Sequence, residues 1–208
     1  TLIDPFYVKK DTSPPGITDN QTGDDTWRAA SGTVYNIDFS DTGGANLSYA
    51  QYTVWTNTIQ TGTQLKTWTN IASSINASDY TNNWQVDFAS LQQGTNYVSV
   101  RVFDNAGNSA TLNDVFYVKK DNTNPQITDY QTGDDIWRST NNGTYNIDFS
   151  DTGGSNLSYI QTKVYSSPGQ VGLIQDLTTV VSGINSSTYD TNWSLVSSVW
   201  NALQELEK

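Results

Sequence analysis

The apolar positions of this chain recur at every second residue. In Tyr35–Phe39 the side chains of Tyr35, Ile37 and Phe39 are apolar and those between them polar. Val98, Val100 and Val102 line one face of Tyr97–Phe103, and Ala50–Val54 and Trp84–Phe88 alternate in the same way. Period two marks a strand with one buried and one wet face. Pro14-Pro15-Gly16, Asp41–Gly44, Gln93-Gly94 and Asp104–Gly107 separate these runs with residues that favour tight turns. The pattern predicts an all-β chain of short strands.

The pattern also repeats. The decapeptide Tyr35–Gly44 recurs letter for letter as Tyr145–Gly154, an offset of 110 residues. Gln21–Asp25 recurs as Gln131–Asp135, Trp27-Arg28 as Trp137-Arg138, and Asn46–Tyr49 as Asn156–Tyr159. So long a period is the size of a small domain and too long for one solenoid unit. About seven short strands per copy, with tryptophan in the interior, predict two tandem immunoglobulin-like β-sandwich domains. The domains are expected at residues 11–120 and 121–208, preceded by a separate strand at 1–10.

The stretch Val-Phe-Asp-Asn-Ala-Gly-Asn at 102–108, followed by Val-Lys-Lys-Asp-Asn-Thr-Asn-Pro at 118–125, resembles the last hairpin and linker of bacterial immunoglobulin-like repeats. Such repeats occur in surface adhesins and extracellular fibres, so the resemblance implies an extracellular or cell-surface location. It constrains the fold more than the task, because these domains serve as spacers, adhesive heads and fibre subunits alike.

Within this register the first ten residues correspond to a closing strand. Residues 1–10 match residues 111–120 except at Ile3 and Pro5. Beyond Trp193 the chain has no counterpart of Phe116–Lys120, and the second domain is expected to be incomplete, without its own last strand. A sandwich lacking a strand exposes unpaired backbone and an apolar groove, and a strand from another chain repairs both. The expectation is an exchangeable donor strand carrying Leu2, Phe6, Tyr7 and Val8. Phe6 and Val8 would fill the acceptor groove and Tyr7 would pack on the opposite face. Head-to-tail insertion into the next copy would build an open helical homopolymer, with identical subunits as partners. The alternatives are a spacer or adhesive segment of a larger multi-domain surface adhesin, and a carbohydrate-binding module. By register two strands are missing from the second domain while one is donated. The tail beyond Trp193 must supply the other or leave it absent. There Leu195, Val199, Leu203 and Leu206 have near-helical spacing, which leaves a short helix or a diverged strand open.

Composition narrows the chemistry. The 208 residues include no cysteine and no histidine, which excludes disulfides, Cys/His zinc sites and Ser-His or Cys-His nucleophile pairs. With 10 basic and 21 acidic residues the net charge is −11, which repels nucleic acid. No apolar run approaches the length of a membrane helix, so no membrane insertion is expected. An enzyme is not expected either, since the acidic pairs recur in both copies and suit structure better than one active site.

Carboxylates remain as candidate ligands. No cofactor is required, but calcium takes oxygen ligands from Asp-rich turns, and Asp24, Asp25 and Asp41, repeated as Asp134, Asp135 and Asp151, are its candidates. Asp11 and Asp121 open the two linkers, and Asp104 sits in a glycine turn. The Asn-x-Ser/Thr motif makes Asn20, Asn46, Asn76, Asn142, Asn156, Asn185 and Asn192 candidate glycan acceptors. Asn46 and Asn156 lead because they match across the copies. The motif is hardly more frequent than chance in a chain so rich in Asn, Ser and Thr.

Overall fold

The computed structural model of the chain describes residues 2–21, 25–132 and 136–203. It is nearly all β and divides into two compact units, Thr1–Asn122 and Thr123–Lys208. The strands of the first unit are β1 (Gly16–Asp19), β2 (Trp27–Arg28), β3 (Ile37–Ser40), β4 (Leu47–Asn57), β5 (Thr61–Ser73), β6 (Asp79–Tyr80), β7 (Gly94–Asp104) and β8 (Ser109–Lys120). They form a three-stranded sheet in the order β1-β3-β6 and a five-stranded sheet in the order β2-β8-β7-β4-β5. All pairings are antiparallel except β2 beside β8, where Trp27 faces Lys119 in parallel register.

Period two explains why these segments are strands. Along β7 the side chains of Asn96, Val98, Val100, Val102 and Asp104 are buried at every second position. Ile37 and Phe39 of β3 face them across the interior, and one apolar cluster draws on both sheets. Asn96 and Lys120, which enter it, are paired, as burial requires. The Asn96 amide donates to the carbonyls of Gln92, Gly94 and Val118. Lys120 sends its ammonium to the carbonyls of Phe88 and Leu91.

Trp84–Phe88 departs from its pattern. Trp84 and Val86 are buried and Gln85 is exposed, as alternation predicts, yet the only pairing is a single bridge between Trp84 and Tyr35. The Asp87 amide donates to the Tyr52 hydroxyl and its carboxylate accepts from Lys66. The chain then turns through a 3₁₀ segment, Phe88–Ser90. Side-chain partners take the place of a second ladder.

The second unit contains β9 (Gln126–Asp129), β10 (Ile147–Ser150), β11 (Leu157–Ser167), β12 (Val171–Ser186) and β13 (Thr188–Tyr189), followed by α1 (Ser197–Ala202). One sheet has the order β13-β10-β9, and β11 pairs with β12 alone. The helix settles the choice left open for the tail, and it buries Val199. Leu206 lies outside the described residues.

The two copies of one tetrapeptide differ in environment. Ile37 and Phe39 of β3 are fully buried, whereas Ile147 and Phe149 of β10, in the same Ile-Asp-Phe-Ser sequence, are only half-buried. Among the described residues, the second unit has no strands equivalent to β7 and β8 to lie across them.

Candidate functional site

The leading residues 2–10 form no strand and are exposed throughout. Leu2, Phe6, Tyr7 and Val8 each leave more than three quarters of their surface in water. The matching segment of β8 shows what these residue types do when paired. Phe116, Val118 and Lys120 point inward, while Tyr117 and Lys119 alternate with them at the surface. One detail of backbone is shared. Asp114 has φ 51° and Asp4, its counterpart, φ 52°, both in the left-handed region that Asp tolerates better than most residues. In the first unit this Asp114 kink lies at a shift in the β7–β8 register and lets its carboxylate accept the Ile59 amide at 2.6 Å.

The second unit offers an unpaired edge. In the first unit β4 pairs on one side with β5 and on the other with β7, from Leu47 opposite Asp104 to Trp55 opposite Tyr97. Its counterpart β11 has β12 on one side and, among the described residues, no strand on the other. Large side chains are bare on this unit. Trp137 is 76% exposed, where its counterpart Trp27 is half-buried beside Lys119. Ile127 and Tyr159 are exposed as well.

A different cluster lies at one end of the first unit. Asp11 of the leading linker, Asp41 after β3 and Asp104 at the end of β7 bring one carboxylate oxygen each to within 4.8 Å of one another. Asp41 and Asp104 are buried and Asp11 is half-buried. Backbone amides hold them in place. Asp11 accepts from the amides of Ser13 and Ala45, Asp41 from Gly43, and Asp104 from Ala106 and Asn108. The Asn108 side chain donates to Asp104 Oδ2 at 2.7 Å and to the Asp11 carbonyl at 3.3 Å. Asp41 Oδ2 is buried with no hydrogen-bond partner. No salt bridge among the described residues reaches these three carboxylates.

The structure thus redistributes the sequence-derived ligand candidates. Asp41 belongs to a cluster, but its companions are Asp11 and Asp104, which local spacing does not group with it. Asp25 is elsewhere, accepting from the Tyr117 hydroxyl at 2.6 Å and Lys119 at 3.0 Å. The Tyr117 hydroxyl, then the Lys119 ammonium, hold its carboxyl below the usual range. Asp151 repeats Asp41 in being buried with an unpartnered Oδ2. Asp24, Asp134 and Asp135 lie outside the described residues. The signal that would have found the cluster is topological: three turns of distant sequence converge at one end of the unit.

Of the candidate glycan acceptors, Asn20, Asn76, Asn142, Asn156, Asn185 and Asn192 are exposed and Asn46 is half-buried. Asn46 and Asn156 have φ 65° and 68°, and Asn76 and Asn185 have 51° and 48°. Asparagine is favoured in that left-handed backbone, which accounts for its recurrence at matching turns. Arg101 covers the half-buried Trp68, its guanidinium 4.3 Å from the centre of that ring. No helix among the described residues is long and apolar enough to cross a membrane.

No protein-family model and no curated protein sequence matches this chain.

Proposed function

We propose that this chain is a non-enzymatic structural subunit of an extracellular filament. It is built from two immunoglobulin-like sandwiches and assembles by donating residues 1–10 to the second unit of a neighbouring copy. The observation that carries the reading is the contrast between Phe6–Lys10 and Phe116–Lys120. One sequence is bare at the leading segment and packed inside the first unit. Strand addition takes the apolar side chains of the donor out of water and covers half-buried ones of the acceptor.

The repeat offset makes the contact specific. Lys9 of the donor would lie beside Trp137 of the acceptor as Lys119 lies beside Trp27. Asp4 would take the Gly169 amide as Asp114 takes that of Ile59. Phe6 and Val8 would cover Ile147 and Phe149. The contact is heterologous, so it propagates instead of closing.

A second reading is favoured by the strand count. In the first unit β8 reaches β4 only through β7, so the edge of β11 calls for a strand besides the donated one. A tandem surface protein in which neighbouring repeats supply both strands in line satisfies that requirement, and the chain is then a spacer.

Electron microscopy and sedimentation of the purified chain separate the readings. The filament reading expects fibres that dissolve into monomers when residues 1–10 are deleted. It also expects a synthetic peptide of residues 1–10, but not a scrambled one, to cap the deleted form. Monomers from the intact chain would overturn it in favour of the spacer, and fibres indifferent to the deletion would overturn donation by residues 1–10.

A further inference from the structure

We propose that Asp11, Asp41 and Asp104 form a calcium site that fastens the leading linker to the end of the first unit. This inference does not rest on strand donation. Three carboxylate oxygens lie within 4.8 Å of one another, from three separate segments of chain. Two oxygens bound to one calcium ion, each at 2.3–2.6 Å, stand at most about 5 Å apart, so the spacing suits a shared ion.

The independent observation is Asp41 Oδ2. Asp41 is 6% exposed, and this oxygen is buried without a hydrogen-bond partner. A buried carboxylate close to two others is costly unless positive charge compensates it. Among the described residues no lysine or arginine does. Lys9 and Lys10 line the cleft beside Asp11, but neither comes within 4.0 Å of these carboxylates. Both oxygens of Asp11 and both of Asp104 accept N–H bonds, which fixes the two carboxylates in place. A hard divalent cation answers the arrangement, and its remaining positions would be filled by backbone carbonyls and water.

The chemistry of the setting agrees. Gly43 carries no side chain where a Cβ would stand 1.9 Å from Asp11 Oδ1, so the linker carboxylate rests on the backbone of the loop that carries Asp41. The second unit repeats the orphaned oxygen at Asp151 within an identical decapeptide. Among the described residues no second set of three carboxylates gathers there, so the full cluster belongs to the first unit.

Isothermal titration of CaCl₂ into the full chain, stripped with EGTA and dialysed, tests the site. Saturable binding and a rise in melting temperature with Ca²⁺, larger than with equal Mg²⁺, are expected. Asp41→Asn and, separately, Asp11→Asn should weaken binding about tenfold or more, while Asp151→Asn leaves this site intact. Asp11 is half-buried and outside the sheets, so its variant keeps the test valid if Asp41→Asn fails to fold. The proposal is overturned by absence of saturable binding, by equal stabilisation with Mg²⁺, or by Asp11→Asn titrating as the parent does.

Discussion

Tyr35 lies flat on Phe116, with ring centroids 4.3 Å apart and planes inclined by 11°. Trp84 closes the group, its ring 5.7 Å from that of Phe116. In the second unit Tyr145 meets Trp193 at 5.5 Å. Among the described residues no third ring joins that pair. The strand that brings Phe116 into the first unit thus completes an aromatic group that its absence leaves as a pair.

Phe116→Ala should therefore destabilise the first unit by about 3–5 kcal/mol, the usual cost of emptying a buried aromatic position. Phe6→Ala, at a position 78% exposed, should leave the melting of the isolated chain unchanged. Under the proposed assembly it should instead shorten or abolish fibres. Chemical denaturation and sedimentation of both variants read the two effects. A loss of monomer stability in Phe6→Ala would mean that the leading segment packs at home.

Arg101 makes a second prediction. Its guanidinium lies 4.3 Å from the centre of the Trp68 ring and 5.4 Å from that of Phe103, and its Nε donates to Gln51 at 2.8 Å. Arg101→Ala removes a cation over two rings together with an apolar stem that shields them, at a cost of about 1–2 kcal/mol. Trp68 fluorescence should shift to the red as water reaches the ring. Arg101→Lys should recover only part of the loss, because an ammonium cannot stack as a planar guanidinium does. Full recovery would count against stacking.

Stability should fall at both ends of the pH scale. The hydrogen bond from Lys66 is the main reason the Asp87 carboxyl titrates below its ordinary 3.8, and the same bond raises Lys66 above 10.5. Asp176 is lowered first by the Leu177 amide and then by Lys163, which is itself raised by its bond to Asp176. A lowered carboxylate contributes stability above about pH 3.8 that is lost as pH falls through its folded value. A raised lysine contributes below about pH 10.5, and that part is lost as pH rises through its folded value. Solvent reaches both pairs, so the effects are small. Melting temperature across this range should show a plateau with two declining limbs, and Asp87→Asn should flatten both. Unchanged limbs in that variant would remove the pair from the account.

Period two was enough to find β3, β4 and β7, because a half-buried strand writes its environment into alternate residues. It failed at Trp84–Phe88, where Asp87 and Tyr52 supply the partners that a neighbouring strand would. The burial of β10 was not legible at all. Ile147 and Phe149 carry the letters of Ile37 and Phe39, and their surroundings depend on what lies opposite, which no local pattern records. The same reason hid the carboxylate cluster. Asp11, Asp41 and Asp104 are far apart in the chain, and only the course of β3 and β7 brings their turns together. Asp24 and Asp25, adjacent and conspicuous in the sequence, drew notice that Asp11 and Asp104 merited.

Gly43 gives the sharpest test of that convergence. Its backbone is not in the left-handed region, so the absence of a side chain there is not explained by φ. The reason is space: an added Cβ would meet Oδ1, Cγ and Oδ2 of Asp11 at 1.9, 2.3 and 2.3 Å. Gly43→Ala must then displace the Asp11 carboxylate and break its bond to the Ala45 amide, at about 1–3 kcal/mol for overpacking a filled site. Because all three clashing atoms lie beyond the Cβ of Asp11, Asp11→Ala removes them. In that background Gly43→Ala should become nearly neutral, giving a coupling energy close to the whole single-variant loss. Thermal or denaturant melts of the four proteins close the cycle. An equal cost of Gly43→Ala in both backgrounds would show that the glycine serves the loop itself and not the linker carboxylate resting on it.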